Sequence, residues 1–150
     1  MTYQLSPIKK LFIAALVAAP LSASATDLTV VNVDNFDKAQ TSFEYDGIIK
    51  LAQGINKIHS NRTTTPIDKQ NVIRMNRDTL YSLGVINISK GATVTLPDAG
   101  KRYMSLMVIN NDGYVNHVYY GGGTYELTME KFDTPYVGVV IRTLANPEDA

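Results

Sequence analysis

The sequence predicts an α+β domain, with N-terminal helices packed on an antiparallel β sandwich or curled meander sheet. Three observations lead there. Apolar residues between Phe36 and Ile58 recur at three- and four-residue spacing, which places them on one helical face. From Val72 onward the chain divides into short runs rich in Val, Ile, Tyr and Thr, the composition of half-buried strands. The links between those runs are short and rich in turn formers, too short for the crossovers that parallel strands require.

Residues 1–25 precede that domain and read as a secretory signal peptide. Lys9 and Lys10 form a positive start, Leu11 to Leu21 an apolar centre, and Ala23-Ser24-Ala25 a small-x-small cleavage pattern. The apolar stretch falls well short of the roughly 20 residues of a membrane-spanning helix, and Pro20 interrupts its end. A mature chain beginning at Thr26 is therefore expected in a bacterial periplasm or secreted, with no membrane attachment after cleavage. Residues 26–150 are expected to form a single domain.

Charge and cysteine content narrow the function classes. The chain has 14 Lys+Arg and 14 Asp+Glu, and the signal segment holds two of the former and none of the latter. The mature domain is thus slightly acidic and lacks basic runs, so it has no electrostatic footprint for nucleic acid. There is no cysteine, which excludes thiol catalysis, iron–sulfur clusters and cysteine-ligated zinc, and leaves stability to the core.

The elements follow in order. Thr26 to Val33 is a short β-branched entry. Asp34 or Asn35 is placed to cap a helix carrying Phe36, Ala39 and Phe43. Ile48, Leu51, Ala52, Ile55 and Ile58 repeat the spacing after a break near Asp46-Gly47, giving two helices or one kinked helix ending near His59. Asn61 to Gln70 is a polar loop. The strands are expected at Asn71–Met75, Tyr81–Ile88, Thr93–Leu96, Tyr103–Ile109, Val115–Tyr120, Thr124–Met129 and Tyr136–Arg142. Ser89-Lys90-Gly91, Pro97 to Gly100, Asn110 to Gly113 and Gly121-Gly122-Gly123 punctuate them. Asn146-Pro147-Glu148-Asp149 reads as the start of a further helix, so the domain is expected to be incomplete at its C-terminus.

The main site candidate is Asn76-Arg77-Asp78-Thr79, a polar run set between two apolar ones. Buried without partners, such groups cost roughly 1–3 kcal/mol each, so they must be paired, exposed or used. One reading is a ligand cradle, with Arg77 as an anion donor and Asp78 as base or orienter. The other is a corner between strands, with Asn76 in a left-handed backbone, Asp78 and Thr79 bonding local amides, and Arg77 paired elsewhere. His117 and Tyr119 share one face of their strand and are placed for proton transfer or for simple half-exposure. His59 is expected to cap a helix end. No histidine spacing supports a metal site, and no Gly-x-Ser-x-Gly supports a serine hydrolase. A triad of Ser82 or Ser105 with His117 and Asp112 has only sequence availability behind it. Nine Tyr against four Phe and no Trp fit either a ligand groove or ordinary half-exposed strands.

Val72-Ile73-Arg74-Met75-Asn76-Arg77-Asp78-Thr79-Leu80-Tyr81-Ser82 resembles the signature of the domain of unknown function 1254 (DUF1254) family. Pro97, Arg102-Tyr103 and Ser105-Leu106, the turn with Asp112, Tyr114 and Asn116, and Arg142-Thr143-Leu144 resemble its later segments in order. The resemblance runs from about Phe36 onward and implies a bacterial, often exported protein, frequently joined to a second domain (DUF1214) that is not expected within residues 1–150. Members are expected to continue beyond the point where this sequence stops. It implies no secure chemistry.

Two functions remain open at this stage. One is a binding or accessory domain for a small polar or anionic ligand or a partner chain, with a pocket drawn from Asn76, Arg77, Asp78, Thr79, Tyr81, Tyr103, Asp112 and His117. The alternative is a metal-independent hydrolase-like enzyme with Asp78 or His117 as acid/base and Arg77 holding an anion. Neither calls for a cofactor or metal, and the sequence leaves the oligomeric state undefined.

Overall fold

In a computed structural model, residues 29–70 and 72–146 are described; the signal segment, Asn71 and the terminal 147–150 lie outside them. Val31–Ala150 cluster as one compact unit. Its first element is helix α1 (Phe36–Ala52). The expected break at Asp46-Gly47 does not occur, because Gly47 has open space around its Cα and costs the helix only about 1 kcal/mol. The helix stops instead at Gln53, a non-glycine in the left-handed region, where Gly54 N–H bonds the Ile49 carbonyl.

Beyond that stop the expected second helix is replaced by a strand. Gln53 and Asn56 both adopt positive φ, turning the chain so that β1 (Lys57–Ser60) pairs antiparallel with β2 (Thr79–Asn87). His59 therefore sits on a strand and caps no helix. A 3-10 turn at Ile67–Lys69 occupies the polar loop. The strand expected at Asn71–Met75 is absent among the described residues 72–75, and Arg74 there has φ of 60°. β2 itself is flanked by β1 and by β7 (Tyr136–Leu144), and the left-handed Arg74 breaks the extended run before it.

β3 (Ala92–Leu96), β4 (Met104–Asn110), β5 (Val115–Tyr120) and β6 (Gly123–Leu127) fall close to their expected positions. The last expected strand residue, Met129, instead opens a one-turn helix, α2 (Met129–Phe132), that inserts Phe132 fully into the core. The five-stranded sheet runs β1-β2-β7-β4-β5, and β3 and β6 form a separate antiparallel pair. The class is the α+β, antiparallel one expected, but the order is not a simple meander: the last strand is the central one. Gly121-Gly122-Gly123 accordingly links two sheets and closes no hairpin.

Side-chain alternation assigns the two faces of the large sheet. Ile86, Leu106, Val108, Val137, Val139 and Ile141 point to one side and join Val94, Leu96, Leu127 and Phe132 in the core. Each such buried side chain contributes roughly 1.5–3 kcal/mol. The opposite face carries α1. There Tyr45 lies across Gly138, and Val85 is 1% exposed beside it.

Candidate functional site

The run 76–79 is a structural corner. Asn76 Oδ1 accepts from Asp78 N–H at 2.7 Å and from Thr79 N–H at 3.2 Å, an Asx turn that launches β2. The left-handed residue is Arg74, not Asn76, and it is the Asn76 side chain, not those of Asp78 and Thr79, that satisfies the local amides. Arg77 is exposed and its Nε donates to the Thr65 carbonyl at 2.9 Å, tying the polar loop to the corner. Asp78 is exposed, and its backbone carbonyl accepts from Ala145 N–H. Thr79 alone is buried, with 6% exposure.

Thr79 leads to a group that the run itself does not contain. Its Oγ1 accepts from Arg142 Nε at 3.4 Å, and the Arg142 guanidinium carbon lies 5.6 Å from the centre of the Tyr81 ring. Register explains this. Tyr81, Arg142, Ser105 and Tyr120 are successive cross-strand partners on β2, β7, β4 and β5, so all four side chains share the α1 face. Ser105 is buried beneath them, and Tyr103 meets Tyr120 edge to face at 6.2 Å. Arg142 is half-buried at the centre of the sheet, and among the described residues no carboxylate pairs with it.

The next row, towards α1, is His59, Leu83, Val140, Met107 and Val118. All five are half-buried, so the helix leaves an apolar strip uncovered between itself and the Arg142 row. His59 closes one end, its Nε2 3.0 Å from Asn61 Oδ1.

The remaining candidates lie elsewhere. His117 and Tyr119 pair with Val108 and Leu106, which places them on the core side of the sheet. Their rings stand 4.1 Å apart, and Tyr119 stacks on Tyr125 at 4.4 Å. The corner at Asp78 begins β2, three strands away from β5, or roughly 14 Å at the usual strand spacing. Asp78 and His117 therefore cannot share one acid/base site. Asp112 belongs to the β4–β5 turn and pairs with Lys38 of α1 at 3.3 Å. The serine combinations dissolve likewise: Ser82 Oγ donates to Ser60 Oγ, and Ser105 faces away from His117. Tyr81 and Tyr103 do gather with Thr79. Arg142, Ser105 and Tyr120 complete the cluster, and the sequence signal for Arg142 was a lone cation ending the apolar run Val137 to Ile141.

Among the described residues, no group of three or more His, Asp and Glu side chains is placed to hold a metal ion. Nor is any helix there long and apolar enough to cross a membrane.

Comparison with solved structures finds similarity to the crystal structure of the VPA0106 protein from Vibrio parahaemolyticus, at a TM-score of 0.53 and 19% identity. The match covers 75% of this chain and 31% of that one, so this chain spans about a third of its neighbour's length. It supports the fold alone. No curated protein matches. The family model "Protein of unknown function (DUF1254)" matches residues 55–150, which hold every strand among the described residues and the whole Arg142 cluster. The chain belongs to the DUF1254 family.

Proposed function

We propose that this is an exported bacterial binding domain that holds a small anionic ligand where the Asn76–Thr79 corner meets the sheet face. One observation carries the reading. Arg142 projects from the central strand, and among the described residues its polar and ring contacts are one long hydrogen bond and one aromatic ring, with no carboxylate pairing with it. An arginine neutralised by the fold would normally sit in a bidentate pair; this one keeps its fork for a ligand. Tyr81 supplies a ring face, and Thr79, Ser105, Tyr103 and Tyr120 supply hydroxyls around it. Arg77 stands at the rim and adds positive field. Asp78 and His117 form no acid/base pair, since the separation described above and the opposite face of His117 deprive a hydrolytic reaction of one.

Export rests on the signal-like segment at 1–25. Its test is expression in a bacterium with fractionation and N-terminal sequencing of the recovered protein; a start at Thr26 supports it, and retention of Met1 in the cytoplasm refutes it. The binding test is a thermal-shift series with formate, acetate, phosphate and sulfate. A rise in melting midpoint that disappears in Arg142→Gln supports the site, because a ligand at about a hundredfold excess over its dissociation constant stabilises by about 2.7 kcal/mol. No shift with any anion refutes it.

A further inference from the structure

We infer that the ligand of this site is an amphipathic monocarboxylate, with its carboxylate on Arg142 and its apolar body along Leu83, Val140, Met107 and Val118. This inference rests on the anion-binding reading above and adds the ligand's class.

Charge sets the headgroup. Arg142 is the one cation of its row, and the cation of the Val85–Gly138 row, Lys57, already donates its ammonium to the Gln53 carbonyl at 3.0 Å. One guanidinium without a carboxylate partner among the described residues balances a single negative charge, and its planar fork matches a carboxylate. The remaining neighbours Thr79, Ser105, Tyr81 and Tyr120 are neutral, so a second negative charge would find no counter-charge on this row.

The uncovered strip sets the body. Two residues along a strand separate the Arg142 row from the Leu83–Val140–Met107–Val118 row, about 7 Å. The strip crosses β2, β7, β4 and β5, and all four side chains on it are only half-buried. Under α1 itself the sheet is covered: Val85 is 1% exposed and Tyr45 6%, whereas Tyr136 and Val115, beyond the helix on the same face, are exposed again. The all-apolar half-covered strip of four strands lies on the side of the helix next to Arg142, which has no carboxylate partner among the described residues. Apolar floor and cationic edge lie side by side, which is the complement of a short-chain acid. Met107, unbranched and polarizable, lets the floor adapt to its shape.

The test is calorimetric titration of the purified protein with acetate, butyrate, hexanoate and octanoate, alongside octanol and octylamine, all below micelle-forming concentrations. The expected result is tightening by up to about fourfold per added methylene, with octanol and octylamine at least about tenfold weaker than octanoate. Arg142→Gln and Met107→Glu should each weaken octanoate by about tenfold or more, with unliganded melting midpoints showing that both variants fold. The chain-length series needs no variant. Equal affinity for acetate and octanoate, lost in Arg142→Gln, would overturn the amphipathic class while leaving the anion site standing. Octanol binding as well as octanoate would overturn the role of the charge. Silence towards every probe would overturn both readings, as would a dimer that Met107→Glu dissociates, since the face would then be covered by a second copy.

Discussion

The hydroxyl of Tyr45 is wedged into the sheet at Gly138, accepting from the Gly138 N–H at 2.6 Å and donating to the Ile109 carbonyl at 2.7 Å. Ile109 and Gly138 are partners on β4 and β7, so a helix side chain bridges two neighbouring strands. Gly138 is required for this approach, because a Cβ there would stand 2.7 Å from Tyr45 Cε1.

Tyr45→Phe keeps the ring and removes the bridge. It leaves a buried donor and acceptor unsatisfied, so a loss of roughly 1–3 kcal/mol is expected. Chemical denaturation measures it. Gly138→Ala should cost a comparable amount through overpacking, and the two losses should not add, because both act on one contact.

Alkaline pH gives a second handle on the same residue. Burial is the main cause that pushes the Tyr45 hydroxyl up from 10.0 to about 12, the Gly138 amide opposes the shift, and the Asp112 charge adds to it. The folded state thus favours the protonated form. The stability this contributes is complete below pH 10 and is lost as pH rises through 10 towards 12. The difference between the wild type and Tyr45→Phe should shrink across that window; a difference that stays constant from pH 9 to 12 would contradict the assignment.

Two arginines that look alike in the sequence should separate in a binding assay. Arg142→Gln is expected to remove anion binding, by about tenfold or more, with its Thr79 contact too long to matter greatly for folding. Arg77→Ala, on an exposed side chain, should weaken binding only a few-fold through lost long-range attraction, and that loss should fade at high salt. Anion titrations at two ionic strengths read both effects.

Asn76 and Asn110 organise corners in the same way. Asn110 is 2% exposed and its Oδ1 accepts from the Asp112 and Tyr114 amides at 3.1 and 3.0 Å. Asn110→Ala should cost roughly 1–3 kcal/mol, and Asn76→Ala about 1 kcal/mol at its more open turn. The exposed Lys38–Asp112 pair beside Asn110 should matter far less: Lys38→Ala is expected to change stability by under about 1 kcal/mol. Urea midpoints of the three variants rank them.

The strands were readable because their alternation is local. Val115–Tyr120 lies where its composition puts it, as does most of Tyr136–Leu144. The helix end was not readable, because Ile55 and Ile58 continue the apolar spacing while the stop depends on Gln53 and Asn56 accepting a left-handed backbone, which neither residue advertises as glycine does. Val72–Met75 has strand composition but pairs with no strand, because Arg74 takes a left-handed backbone and β2 is flanked by β1 and β7, which residues far away in sequence determine. The site divided in the same way. The Asn76–Thr79 corner was visible as a polar interruption, and Tyr81 and Tyr103 as tyrosines beside it. Arg142 stands 63 residues from its Thr79 contact, and only the β2–β7 register brings the two together. Local pattern likewise could not show that His117 faces the opposite side of the sheet.

The place of β7 in the sheet also bears on how the chain acquires its structure. β1 with β2 and β4 with β5 can pair as soon as each is present, but the two pairs meet only through β7, whose partners on β2 lie some 50 residues upstream or more. Pairing across such separations is slow, because loop closure must precede any gain from the contacts. Until Tyr136–Leu144 arrives, β2 and β4 each present an unpaired edge, the condition in which chains associate wrongly. A nascent copy therefore stays uncommitted until Tyr136–Leu144 has been made. Once the last strand enters, both open edges close in a single event.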